Sequence, residues 1–134
     1  YLNYDYIGAP WTKIIQPIKN KNIELKNRVG NGGFSLRSKN LLSACKGLDF
    51  NNLFEKYSMN NEDVIICHYL YEDMVKKGIK FAPPELAANF SMEHEPTILD
   101  FGFNRDNVFG FHGKHLAGYF KKKFINKLKS EQLT

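Results

Sequence analysis

The centre of this chain is the stretch VGNGGFSLRS, which runs from Val29 to Ser38. Three glycines fall within four residues there, between a β-branched entry and the alternating Phe34 and Leu36. A glycine has no Cβ, so it reaches positive φ and lets a ligand or a second backbone come close. Glycines within a strand pattern indicate a β-bulge or such a close approach. The stretch therefore predicts either a tight strand-to-helix turn or a binding site with a glycine floor.

Strand and helix patterns alternate on both sides of this stretch. A short strand is expected before Pro10, and the otherwise loop-like segment 12–26 has room for one more at 23–25. Ser38 is a good N-cap for a helix over 39–46, and Asn60-Asn61-Glu62-Asp63 opens the clearest helix, which Gly78 closes. Further predicted elements are a helix over 50–57, strands at 79–82 and 108–113, a helical turn at 85–89 and a terminal helix from 115. The alternation predicts an α/β layer fold.

Length and composition indicate one globular domain over residues 1–134. The chain is 43% hydrophobic, and no apolar run reaches the roughly 18 residues that a membrane helix needs. It opens on Tyr1 without a signal peptide or an initiator Met, so we expect a cut through a longer protein. Cys45 and Cys67 do not form a disulfide framework, and we expect two buried free thiols.

The net charge of +5 is concentrated in the terminal basic helix, residues 115–134. A basic segment of this kind can bind nucleic acid, an anionic membrane or a phosphorylated ligand, or it can simply be a solvated helix face. Its aromatic residues recur at core spacing and do not form a stacking platform. We therefore expect no specific nucleic-acid binding.

Glu62 and Asp63, at the start of a predicted helix, are the best candidates for acid–base chemistry. The free backbone N–H groups at a helix start favour the ionised form of a carboxylate. An ionised carboxylate can take a proton from an alcohol as that alcohol attacks an electrophile. The alternative is that these two residues only cap the helix.

The four histidines make a weak metal signal. His112 and His115 flank Gly113 and can place one imidazole on a metal, whereas a complete site needs three or more ligands. His68 lies on an apolar helix stripe and is expected to be a core histidine, and His94 lies in a loop. The alternative for His112 is a purely structural role.

Four blocks taken together resemble one family. The blocks are YDYIGAPW from Tyr4, VGNGGFSLR from Val29, EDV from Glu62 and FGFHG from Phe109. In this order they resemble the glycosyltransferase-like family catalogued as domain of unknown function 5672. The likeness covers residues 1 to about 114.

The resemblance implies a GT-A-like mixed sheet flanked by helices, with this chain as the acceptor-side portion of a larger domain. It implies transfer of a sugar from a nucleotide-sugar donor to a glycan or protein hydroxyl, inverting and metal-dependent. The implied site residues are Asp63 as base, Glu62 as its partner or as a ligand of acceptor hydroxyls, Trp11 as a sugar platform, Asn31, Gly32 and Gly33 as the substrate-facing backbone, and His112 as a ligand of Mn²⁺ or another divalent cation.

The chain departs from that pattern in one respect. GT-A enzymes hold their metal with an Asp-X-Asp motif, and this sequence contains none. We expect the main acidic ligands upstream of Tyr1. Two alternatives follow: a non-catalytic carbohydrate-binding or scaffolding domain with the same fold, and a basic surface-binding module led by the terminal helix.

Overall fold

Short strands pair two by two in the part of the chain that the computed structural model describes, residues 1–11, 14–15, 23–93 and 108–131. Residues 6–10 pair with 29–37, and 14–15 with 23–24, in antiparallel orientation, whereas 91–92 pair with 110–111 in parallel. The strands are β1 (Tyr6–Pro10), β2 (Ile14–Ile15), β3 (Ile23–Glu24), β4 (Val29–Arg37), β5 (Ser91–Met92) and β6 (Gly110–Phe111).

The other regular elements in these ranges are helices, which make the fold mixed α/β, as predicted. They are α1 (Lys39–Cys45), α2 (Phe50–Tyr57), α3 (Glu62–Val64), a π-helical segment (Ile65–Tyr69), α4 (Tyr71–Lys76), α5 (Pro84–Phe90) and α6 (Lys114–Glu131). Among the described residues, no helix is both long and apolar enough to cross a membrane.

The glycine-rich stretch is strand β4, and it carries an enlarged bulge. Ile7 pairs with Leu36 and Ala9 pairs with Asn31. Between these two pairs β1 advances by two residues, whereas β4 advances by five. Residues 32–35 therefore project from the pair. On β1, a Cβ added at Gly8 would lie 2.1 Å from the Asn31 carbonyl oxygen, so only glycine permits this approach. The predicted bulge is confirmed.

A buried carboxylate ties the start of β1 to two other segments. Asp5 accepts hydrogen bonds from the Ser38 hydroxyl at 2.5 Å and from the Lys80 amide at 2.8 Å. The Ser38 hydroxyl in turn caps α1 by accepting from the Leu41 amide at 3.1 Å. These hydrogen bonds lower the pKa of Asp5 below its usual value, and the bond from Ser38 has the largest effect. Burial opposes the shift. One side chain thus fixes β1, α1 and the turn after α4 together.

The hydrophobic core lies under β1 and β4. The Tyr6 hydroxyl donates to the Gly30 carbonyl oxygen at 2.6 Å, inside the core. Gly30 also admits the indole of Trp11, because an added Cβ would lie 2.3 Å from the Trp11 Cζ3 atom. Cys67 is buried and Cys45 half-buried, and both are free thiols.

The predicted long helix after Asn61 is divided by the π-helical segment. A π turn holds one more residue than an α turn and changes which side chains face the core. Four consecutive residues of that segment are therefore buried, Ile65 to His68, and the apolar Val75 in the next helix is 47% exposed. Asn61 occupies the N-cap position of α3, where the asparagines predicted a helix start, but its side chain makes no capping hydrogen bond.

Two further predictions of local structure are wrong. Segment 79–82 forms no strand beyond a single bridge between Tyr6 and Phe81. The reason is that the Lys80 amide donates to the Asp5 side chain instead of a neighbouring strand and that two prolines without N–H groups follow. Strand β2 falls in a segment that we predicted as loop, and the described strands form three separate pairs instead of one mixed sheet.

Candidate functional site

The Asp63 carboxylate contacts the glycine bulge directly. Its Oδ2 atom accepts a hydrogen bond from the Gly32 amide at 2.8 Å, and its Oδ1 atom accepts from the Val64 amide at 2.8 Å. A Cβ added at Gly32 would lie 3.2 Å from Asp63 Oδ2 and 3.1 Å from Glu62 Oε1, tighter than most side-chain contacts. The absence of a side chain at Gly32 therefore lets both carboxylates reach the backbone of β4.

The electrostatic setting of Asp63 favours a proton acceptor. The side chain is half-buried, and this burial raises the pKa of Asp63 above its usual value, with a further contribution from the nearby Glu62 charge. The Gly32 and Val64 hydrogen bonds oppose the shift in pKa. A carboxylate that is ionised but more basic than a free aspartate is suited to receive a proton.

Glu62 is held by an arginine that ends β4. Arg37 Nη2 lies 2.7 Å from Glu62 Oε1, with the Arg37 side chain 25% exposed and that of Glu62 48% exposed. The Arg37 guanidinium also lies over the Tyr6 ring, 5.4 Å from its centroid. Packing on the Tyr6 ring holds the Arg37 guanidinium in place, and the guanidinium in turn holds one carboxylate oxygen of Glu62.

His112 packs on the other glycine of the bulge. A Cβ added at Gly33 would lie 2.2 Å from the His112 Cγ and Nδ1 atoms. The His112 Nδ1 atom lies 2.9 Å from Glu93 Oε1, and His112 donates its backbone N–H to the Met92 carbonyl at 2.9 Å. Contact of one ring nitrogen with a carboxylate orients the imidazole and, in the tautomer that donates from Nδ1, leaves an electron pair on the Nε2 atom.

The bulge therefore brings together five of the seven residues named from the sequence. Gly32 contacts Asp63 and approaches Glu62, and Gly33, the next residue, contacts His112. A carboxylate pair and an imidazole thus lie against one Gly-Gly dipeptide.

The two remaining predicted residues occupy different settings. The Trp11 side chain is 6% exposed and lies in the core against Gly30, so this structure does not offer it as an open platform for a sugar ring. Asn31 is 8% exposed, and its Oδ1 atom accepts from the Gly33 amide at 3.0 Å. Asn31 therefore holds the bulge in shape, and the exposed surface of the site comes from other residues.

A metal ion would meet only part of a ligand set here. Within residues 1–11, 14–15, 23–93 and 108–131, no group of three or more His, Cys, Asp or Glu side chains converges to hold a metal. His112, oriented by Glu93, fits as one ligand because metal-binding histidines commonly have a carboxylate on the second nitrogen. The described residues thus supply one candidate ligand of a metal site.

Sequence reasoning missed Glu93 and the role of Arg37. Glu93 contacts His112 through its carboxylate, and its carbonyl oxygen lies 2.9 Å from His115 Nε2. Its place in a Glu-His-Glu triplet does not specify a partner 19 residues away. His68 is confirmed as a core histidine, because its Nδ1 atom accepts from the Lys26 amide at 3.0 Å.

Fold and site together define a mixed α/β domain in which a Glu-Asp pair and a histidine meet at a glycine bulge. The family profile described as Protein of unknown function (DUF5672) matches residues 1–112. The chain belongs to that family, as the sequence blocks indicated, and the matched range includes every predicted site residue. No curated protein and no solved structure matched the chain.

Proposed function

We propose that this domain is the acceptor-side portion of an inverting, metal-dependent glycosyltransferase with a GT-A-like fold. The observation that carries the proposal is the 2.8 Å hydrogen bond from the Gly32 amide to Asp63 Oδ2. It holds a basic carboxylate against the backbone of a Gly-Gly dipeptide that carries no side chain of its own. The donor in this proposal is a nucleotide-sugar, and the acceptor is a hydroxyl of a glycan or a protein.

In the proposed reaction Asp63 is the general base. As the acceptor oxygen forms its bond to the anomeric carbon, its proton passes to the Asp63 carboxylate, and the bond between that carbon and the diphosphate breaks. The two amides that Asp63 accepts from leave lone pairs free on both oxygens, so the carboxylate can still take this proton. Its raised pKa strengthens it as a base.

Glu62 and His112 have supporting roles in the proposal. Glu62, held through one oxygen by Arg37, accepts from hydroxyls of the acceptor and orients it. A divalent cation such as Mn²⁺, when bound, would neutralise charge on the diphosphate leaving group, with His112 Nε2 as one ligand. Its acidic ligands are expected outside this chain.

The test is nucleotide-sugar turnover by the full-length protein carrying Asp63→Asn, assayed with a panel of donors in the presence of Mn²⁺. We expect kcat to fall by roughly 10²–10⁴-fold, the usual contribution of a general base, while acceptor binding persists. The acidic limb of the wild-type pH profile should lie above the usual aspartate pKa, because burial raises the pKa of Asp63.

The matched control is Asp73→Asn on α4, where the side chain is 66% exposed and its Oδ1 atom lies 3.9 Å from Lys76 Nζ. It should leave turnover unchanged. Unchanged turnover in Asp63→Asn would dismiss Asp63 as the base. Acceptor binding with no turnover by the wild type, with any donor, would favour a non-catalytic carbohydrate-binding domain.

A further inference from the structure

An open groove of about 630 Å³ lies between α6 and residues 108–111, beside Phe34. Sites for small molecules and cofactors commonly measure about 300–1,000 Å³. The groove lies apart from Asp63 and Glu62, neither of which lines it. Its size is therefore that of a ligand site which the proposed function does not use.

Five of the eleven residues that line the groove are phenylalanines. Phe111 and Phe120 stack in parallel at the base of α6, with ring centroids 4.3 Å apart and an interplanar angle of 6°. Two further phenylalanines that line it are open to solvent, Phe109 at 71% and Phe124 at 64% exposure. Contiguous exposed apolar surface of this kind marks a place where something apolar binds.

The polar groups of the groove are all cationic. Its eleven lining residues include Lys121, Lys123 and Lys127 and no acidic, hydroxyl or amide side chain. Lys127 also lies 3.9 Å from Glu131, but both groups are more than half exposed and such a pair is weak. The rim therefore attracts an anion.

These features select among possible occupants. A peptide laid in the groove would bury N–H groups for which no lining side chain supplies an acceptor, which costs free energy for each group. A second copy of α6 would bring a like-charged, lysine-rich helix against this one. A plain hydrocarbon chain has no polar groups to satisfy, and an anionic head at its end would meet the lysines.

We propose that the groove binds a single-chain anionic amphiphile, with its alkyl chain between the phenylalanines and its head at Lys121 and Lys127. The chain is buried because each methylene removed from water is favourable, and the head sits at the mouth where lysine side chains reach solvent. The inference stands independently of sugar transfer.

The experiment is isothermal titration of the full chain with decyl phosphate below its critical micelle concentration. Inorganic phosphate and zwitterionic decylphosphocholine serve as the comparison ligands. We expect decyl phosphate to bind more tightly than either one, because only it combines the alkyl chain with an unshielded anion. Affinity should decrease as salt is raised.

Three variants locate the binding. Ala117→Trp fills the groove from an exposed helix position, and Phe124→Ser removes an exposed wall; each should weaken binding at least about tenfold by removing alkyl contacts. The double variant Lys121→Gln/Lys127→Gln should weaken it about fivefold, as expected for two exposed ion pairs. The matched control is Lys122→Gln/Lys129→Gln on the same helix, which leaves the groove intact and should change affinity less than about twofold.

Several outcomes would overturn the proposal. One is equal binding of inorganic phosphate; another is equal loss of affinity in the two lysine double variants. Association with anionic vesicles but not with monomeric decyl phosphate would replace the groove ligand with a membrane surface. Circular dichroism on each variant distinguishes a lost site from a lost fold.

Discussion

The His112 imidazole occupies the space that a side chain at Gly33 would need, since an added Cβ would lie 2.2 Å from His112 Cγ. The same ring contacts the Glu93 carboxylate through its Nδ1 atom at 2.9 Å. Gly33 therefore sets the position of a histidine 79 residues further along the chain (112 − 33). Substitution of this glycine tests the contact directly.

Gly33→Ala should displace the His112 ring from Glu93. Because the His112 side chain is 49% exposed, the ring can swing outward, so we expect a stability loss of only about 1 kcal/mol. The His112 Cε1–H resonance in NMR spectra should shift, and any metal-dependent turnover should fall about tenfold or more. An unmoved resonance would contradict the close contact.

The control for that glycine is Gly47→Ala. Nothing lies within 4 Å of a Cβ added at Gly47. Alanine there should be neutral or stabilise the fold by up to about 1 kcal/mol, because it restricts the unfolded chain. Urea denaturation of the two variants side by side separates the His112 clash from a general effect of removing glycine.

Asp5→Asn should destabilise the protein at neutral pH. The variant loses the charge that bonds the Ser38 hydroxyl and the Lys80 amide, and we expect a loss of about 2–3 kcal/mol in urea denaturation at pH 7. Thermal melts should show the same order of stability.

The effect of Asp5→Asn should depend on pH in a defined sense. The folded-state pKa of Asp5 lies below its usual value of 3.8, so its contribution is complete above that value. It is lost as the pH falls through the lowered pKa. The stabilities of wild type and variant should therefore converge in acid. A constant difference down to pH 2 would argue against stabilisation by the ionised Asp5 carboxylate.

His68 should make the protein less stable in mild acid. Its ring is buried, and its Nδ1 atom accepts a hydrogen bond from the Lys26 amide. Burial lowers the pKa of His68, and the Lys26 charge lowers it further by a smaller amount. Protonation then favours the unfolded state, so stability is lost as the pH falls below about 6.5.

The measurement is urea denaturation at pH 7.5 and pH 5.5 for the wild type and for His68→Gln. The loss due to His68 cannot exceed about 1.4 kcal/mol per pH unit, since one proton is involved. His68→Gln should remove this part of the pH dependence. An identical pH dependence in both proteins would show that His68 is not the titrating group.

Local features of this chain were predictable because their causes are local. The Ser38 cap and helix α1 depend on a hydroxyl three residues from the amide that it accepts from, and both were predicted. The bulge in β4 was predictable because glycine alone tolerates such close approach. Glu62, Asp63 and His112 were recognisable because carboxylates and imidazoles are the side chains that transfer protons and bind metals.

Three features depended on packing that no short window of sequence contains. The π-helical segment changed which residues of a helix face the core, and the Asp5 side chain took the Lys80 amide that a strand would have used. Trp11 entered the core because Gly30, 19 residues later (30 − 11), leaves room for its ring.

The sequence by itself determined the candidates: the glycine bulge, the Glu62–Asp63 pair, His112 and membership of the family. Only the tertiary structure decided which of them meet. Asp63 reaches Gly32 across 31 residues, and Glu93 reaches His112 across 19. Such contacts form because β4, α3 and the β5–β6 pair pack together. Residue types and their spacing do not by themselves predict that packing.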